Sequence, residues 1–183
     1  DRMILTDQLA VMDLMAFGKF LLLPEDDLNL ANLLKSPFLE IDEDDLLELC
    51  WDRGDSTLWE SLNNKSALNR KFSETLDWLK DWLERAHRLS TFELYSDLLS
   101  MGGRRKLLER IGAEAGDPID QFLAQILEYD RTNVPTLQGF VNWLSNGNHE
   151  IKRDMEADGS NKVRIMTVHG AKGLQAPIVF MPD

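Results

Sequence analysis

Cysteine is nearly absent: Cys50 is the only one in 183 residues. A single thiol excludes an internal disulfide framework and points to a reducing compartment. Histidine is scarce too. His87, His149 and His169 stand far apart and, with one cysteine, make no zinc-ligand spacing. No long hydrophobic run exists. The most apolar stretch, residues 9–23, contains Asp13 and Lys19 and is too short to span a bilayer. No signal-peptide pattern is present. Bases are in deficit, with 20 Lys and Arg against 32 Asp and Glu, for a net charge of −12. So acidic a chain has no global attraction to nucleic acid. DNA contact would need a local basic patch or backbone amides, and docking on a basic protein is the other possibility.

What is present suffices for a sizeable core. Hydrophobic residues make up 43% of the chain and charged residues 28%, ordinary for a soluble protein. The length fits one domain, or one domain plus a fragment. The first residue is Asp1 rather than Met, so the sequence reads as a piece of a longer one.

Helical signals fill most of it. Thr6-Asp7-Gln8 reads as a start, with apolar periodicity through Leu9, Met12, Leu14, Met15 and Phe20 until Pro24. Residues 26–35 form a short helix stopped by Ser36-Pro37. Residues 42–52 follow, with acids in the first turn where the helix dipole favours them. A further short helix surrounds Trp59, over 55–62. The clearest helix covers 66–89, where Leu68, Phe72, Leu76, Leu79, Leu83 and Ala86 recur at spacings of three and four. Lys71 with Glu74, and Asp77 with Lys80, are placed to pair on its wet face. Residues 91–101 begin on a Thr cap with Glu93 and end at Gly102-Gly103. Helices over 104–111, 118–129 and 135–144 complete the set, the last two opening on Pro118 and Pro135.

Strand signals come only at the end. Val163, Ile165, Thr167 and Val168 precede a Gly-rich turn, and Ile178, Val179 and Phe180 follow it. Two short strands make a marginal sheet alone, so their partners are expected elsewhere. The expected fold class is mainly α: a multi-helix domain over residues 1–160, then a short β segment over 161–183. The turn reads Thr167-Val168-His169-Gly170-Ala171-Lys172-Gly173-Leu174-Gln175. A strand running into such a turn exposes backbone N–H groups to an anion. Thr adds a hydroxyl, His a donor that can stack on a base or sugar, and Lys a charge. A bare Gly-Lys turn is usually only a surface turn; the whole string is far more specific.

That string resembles motif V of the superfamily-one DNA helicases, the UvrD/Rep/PcrA and RecB/AddA group. With Gln175 last and Ala176-Pro177-Ile178-Val179-Phe180 after it, it looks most like the AddA component of bacterial double-strand-break repair helicase–nucleases. Residues 8–34, with Lys35-Ser36-Pro37-Phe38, resemble the stretch after motif IV that leads into domain 2B. The helical middle, about 48–150, is similar only in length and character. The resemblance implies a 2B-like insertion over 1–160, whose first helix (about 1–24) could belong to domain 2A. It implies a partial RecA-like 2A segment over 161–183. By the same resemblance Thr167, His169 and Lys172 lie against single-stranded DNA. Gly173, Leu174 and Gln175 approach the nucleotide; Gln175 replaces the commoner Glu and can hydrogen-bond a ribose hydroxyl without charge.

The implied parent protein is an ATP-dependent 3′–5′ DNA helicase, part of an exonuclease complex, using ATP and Mg²⁺. It would meet single strands and duplex junctions, pair with an AddB-like partner, and work in the bacterial cytoplasm at the nucleoid. No G-x-x-x-x-G-K-[ST] loop occurs in these residues, no Asp-Glu pair follows an apolar strand, and no motif VI arginine is present. Phosphoryl transfer needs these together, so the fragment is expected to contain no catalytic residue, to bind neither ATP nor metal, and not to hydrolyse ATP alone.

Other candidates read more blandly. The run Glu40, Asp42, Glu43, Asp44, Asp45 is a capping and solubility feature rather than a metal cluster. Cys50 reads as a buried, inert thiol. Trp51, Trp59, Trp78, Trp82 and Trp143 read as core rather than base-stacking platforms. Arg104-Arg105-Lys106 is the best basic patch and could hold a duplex phosphate, although a solvated face needs no function and is the favoured reading. His87 and His149 are expected on wet surfaces. The remaining alternative is an acidic, helical interaction module that touches no DNA.

Overall fold

The computed structural model describes residues 2–147, 150–152 and 178–180. By internal contacts the chain divides into Asp1–Arg153 and Asp154–Asp183. The first unit is almost wholly helical. β1 (Arg2–Ile4) is followed by a single 3-10 turn and then α1 (Leu9–Leu22), α2 (Asp27–Lys35), α3 (Glu43–Cys50), α4 (Leu58–Lys65), α5 (Arg70–Ala86), α6 (Thr91–Leu98), α7 (Arg104–Ile111), α8 (Gly116–Thr132), α9 (Leu137–Asn146) and β2 (Glu150–Lys152). Of the second unit, Ile178, Val179 and Phe180 are described. They are exposed and not in a strand, so the expected second strand is absent at these positions. The expected strand over 163–168 lies outside the described residues.

α1 is the hub. Ala10, Val11, Leu14, Met15, Ala16, Phe17 and Phe20 are all buried, so the helix is apolar nearly all round, the pattern of a central rather than a surface helix. α2, α5, α7, α8 and α9 pack around it. Phe17 lies edge-on to Trp82 at 5.3 Å and to Tyr95 at 5.7 Å. Tyr95 reaches Phe122 at 4.8 Å, and Phe122 reaches Phe140 at 5.5 Å. This aromatic chain joins α1, α5, α6, α8 and α9. Offset and edge contacts of this kind add about 1 kcal/mol each beyond burial.

Side chains fix the helix ends. Asp42 with Asp45, Thr57 with Glu60, and Ser90 with Glu93 form reciprocal capping boxes at α3, α4 and α6, each satisfying amides the helix leaves open. The cap of α6 is therefore Ser90, one residue before the expected Thr91. α5 starts at Arg70, not Ser66, because the Asn69 side chain accepts from Lys71 N–H at 2.9 Å and sets the start there. Leu68, outside the helix, is 85% exposed and is not part of the core stripe. Glu74 pairs with Arg70, while Lys71 turns to Asp45 and Asp42, so the expected Lys71–Glu74 pair is replaced. Pro118 sits in the first turn of α8, whereas Pro135 precedes the Thr136 cap of α9.

Two arrangements depart further from expectation. Arg2–Ile4 and Glu150–Lys152 pair antiparallel, Met3 opposite Ile151, and tie together the two ends of the helical unit. Three-residue strands from opposite ends of the unit carry no local alternation to read. At Gly102-Gly103 the chain does not simply break. A wide π-type turn over Leu99–Gly103 joins α6 to α7, with Gly102 at φ 108°. A β-carbon on Gly103 would strike the Leu98 carbonyl and the Phe38 ring, so both glycines are needed there.

Candidate functional site

The residues most dense in chemistry, Thr167, His169, Lys172, Gly173, Leu174 and Gln175, lie outside the described residues, as does His149. The basic patch lies within them, at the start of α7. Its three cations do not converge. Arg104 forms a fork with Asp120 of α8, Nη1 to Oδ1 at 2.5 Å and Nη2 to Oδ2 at 3.0 Å. Lys106 Nζ donates to the Phe38 carbonyl at 3.0 Å and holds the loop after α2. Arg105 is exposed, 3.5 Å from Glu109 one turn on. Two of the three are thus structural ties between elements, and Arg105 alone presents its guanidinium outward.

The acidic run is equally dispersed. Asp42 and Asp45 share Lys71, and Glu43 pairs with Lys35. Asp42 is held below the usual carboxylate range, first by the Asp45 N–H that it accepts and then by Lys71. Among the described residues, no three His, Cys, Asp or Glu side chains are grouped to hold a metal ion. His87 is exposed.

Two expectations are corrected at α3. Cys50 is exposed, not buried. Leu49 is the residue of this run that faces the core, and the next residue points away by a third of a turn. Trp51, read as core, is 72% exposed; Trp82 is buried, and Trp59, Trp78 and Trp143 pack against the core as expected. Asp44, Leu47, Glu48 and Trp51 line a shallow depression with Lys65 of α4. Nothing in the sequence separates Leu47 and Trp51 from the buried Leu49 except the phase of one short helix.

Elsewhere, burial pushes the half-buried Asp13 carboxyl on α1 up to about 6, against a smaller pull downward from Arg110. Asp130 Oδ1 on α8 is buried with no hydrogen-bond partner among the described residues, and burial raises that carboxyl as well.

Residues 5–183 match the family of UvrD-like helicase C-terminal domains. The chain belongs to that family. It is also similar to ATP-dependent helicase/nuclease subunits of the AddA type. The one from Lactobacillus helveticus is 26% identical over 185 residues, covering 96% of this chain and 15% of that protein. The one from Thermoanaerobacter pseudethanolicus is 25% identical over 169 residues, covering 86% and 14%. A Streptococcus pneumoniae relative is 25% identical over 182 residues, covering 86% and 15%. The chain therefore spans about 15% of the length of the curated relatives it matches. The family match runs through both the helical unit and the Thr167–Gln175 string.

Proposed function

We propose that this chain is the helical 2B-like part (residues 1–160) and the first returning 2A segment (161–183) of an ATP-dependent DNA helicase–nuclease subunit. The observation that carries this reading is the family match from residue 5 to 183, which includes the Thr167–Gln175 string. The relatives' names support the helicase–nuclease assignment.

In this reading the turn works on two sides. Thr167 and His169 bond the backbone of single-stranded DNA, and Lys172 adds charge. Gly173, Leu174 and Gln175 face the nucleotide, and Gln175 offers its amide to a ribose hydroxyl. A turn that touches both ligands couples nucleotide state to grip on the strand. ATP and Mg²⁺ belong to the whole protein, which supplies the phosphate loop and the transition-state arginine that these residues lack. The whole protein acts 3′–5′ with an exonuclease activity in double-strand-break repair and recombination, beside an AddB-like partner, in the bacterial cytoplasm at the nucleoid. This chain alone does not hydrolyse ATP.

The test uses the whole protein. Its ATPase is measured with and without single-stranded DNA, and labelled partial duplexes report unwinding polarity. DNA-stimulated hydrolysis and 3′–5′ unwinding are expected. A parent reading frame without an ATP-binding loop overturns the assignment. A second reading, an acidic interaction module, is favoured by the internal commitment of Arg104 and Lys106. The two are compatible, since a helical insertion can steer a partner while the motor acts on the strand.

A further inference from the structure

Exposed tryptophan is uncommon, and Trp51 is the exception among the five here. It sits one turn beyond Leu47, itself 58% exposed, so α3 turns an apolar pair toward solvent. The backbone around it is fixed. Trp51 N–H donates to the Leu47 carbonyl at 2.8 Å. Lys65 Nζ spans the Glu48 and Trp51 carbonyls at 2.5 and 3.0 Å. Asp52 reverses the chain at φ 53°, and Arg53 then anchors the loop to Asp27 at 2.5 Å and to the Ser56 carbonyl at 2.7 Å. An aromatic side chain displayed on a fastened backbone loses little freedom when covered, which favours binding.

Charge says what covers it. In the acidic run, Asp42, Glu43 and Asp45 are each paired with lysine. Asp44 and Glu48, which line the depression, carry no ion pair among the described residues. Lys65, the cation at the rim, is turned onto backbone carbonyls. We propose that the Leu47–Trp51 face of α3 docks a partner polypeptide that lays an apolar side chain against the pair and meets Asp44 and Glu48 with Lys or Arg. Nucleic acid is disfavoured, because both free carboxylates repel phosphate. A two-fold contact with a second copy would set the same carboxylates against each other. The proposal rests on the interaction reading and gives it a location and a partner chemistry; the helicase reading is independent of it.

The experiment uses the full 183-residue chain. Fluorescein-labelled amphipathic peptides share a Leu/Phe face and carry either Lys/Arg or Glu on the other face. A labelled oligo-dT is the third probe, and anisotropy is the readout. The basic peptide is expected to bind, the acidic peptide and the oligonucleotide not. Trp51→Ala and Leu47→Ser should each weaken binding by about tenfold, the scale of a central aromatic anchor. Asp44→Asn with Glu48→Gln should weaken it and flatten its salt dependence. All four residues are exposed or at the rim, so unchanged thermal unfolding checks that the variants are folded. Equal binding by Trp51→Ala overturns the location and leaves the interaction reading standing. No binding of the basic peptide to the unaltered chain overturns both. Oligo-dT binding lost in Trp51→Ala, or a dimer in sedimentation lost in that variant, overturns the protein partner in favour of nucleic acid or a second copy.

Discussion

The Tyr95 hydroxyl occupies the place where Gly18 would carry a β-carbon. Tyr95 is wholly buried, and its Oη donates to the Leu14 carbonyl on α1 at 3.2 Å. Burial also pushes its phenol far above the usual range, so it stays a donor at any ordinary pH. Gly18 is thus the notch on the hub helix through which α6 closes, with Val141 of α9 on the same spot. We predict that Gly18→Ala destabilises the chain by about 2 kcal/mol, the usual cost of overpacking a tight core. Tyr95→Phe should cost about 1 kcal/mol as one hydrogen bond is lost. Gly18→Ala should be milder in the Tyr95→Phe background, because the clashing oxygen is gone. Additive losses in a denaturant double-mutant cycle would show that the two residues do not share that space.

Asp13 gives a pH signature. Its folded-state value of about 6 lies above the ordinary carboxylate value of 3.8. A raised carboxyl means the folded state holds the proton more tightly. The penalty for ionising it is absent below about pH 4, grows between about 4 and 6, and is complete above. Asp13→Asn removes that penalty. We expect the variant to be more stable than the parent sequence by about 1 kcal/mol near pH 7.5, a value reduced for the partial exposure of the site. The gap should close by about pH 4. Urea unfolding at several pH values measures it, and a pH-independent gap would remove the ionisation account.

Cys50 should behave as a surface thiol. In the native protein we expect one rapid equivalent with a disulfide reagent such as dithionitrobenzoate, at a rate close to that in denaturant, since it is exposed. Protection by more than about a hundredfold would mean that α3 is rotated to bury Cys50 rather than Leu49.

These outcomes separate what the sequence tells from what packing decides. The helices were readable because their marks are local: Phe72, Leu76 and Leu79 repeat along one face, and acids crowd the first turn of α3. Boundaries moved where one side chain chose the cap, as Asn69 did at α5. The β1–β2 ribbon was not readable, because its partners stand at opposite ends of the unit. Nor was the phase of α3. Leu46, Leu47, Leu49, Cys50 and Trp51 look alike as a run, and only packing turns Leu49 inward and Trp51 out. The Thr167–Gln175 string was legible for the opposite reason. Its information is in residue type and spacing, and it needs no tertiary structure to be recognised.

Lys172 tests the motif in the whole protein. If the turn grips single-stranded DNA, Lys172→Ala should weaken single-strand affinity by about tenfold, lower DNA-stimulated ATPase, and reduce the salt slope by about one counterion. ATP hydrolysis without DNA should change little. Loss of both activities together would place Lys172 on the nucleotide side instead.

Arg105 decides the fate of the basic patch. Arg104 and Lys106 serve Asp120 and the Phe38 carbonyl, so replacing them loosens α7 as well as removing charge. A combined charge reversal of all three would mix the two effects. Arg105 is the clean probe, because its partner, Glu109, lies on its own helix and both are exposed. An exposed pair of this kind contributes under about 0.5 kcal/mol, so Arg105→Glu should leave stability unchanged. We expect duplex affinity of the whole protein to stay unchanged too, as for a solvated face. A fall of about threefold or more with a shallower salt slope would instead put a duplex phosphate at the start of α7, and the acidic unit would then touch DNA directly.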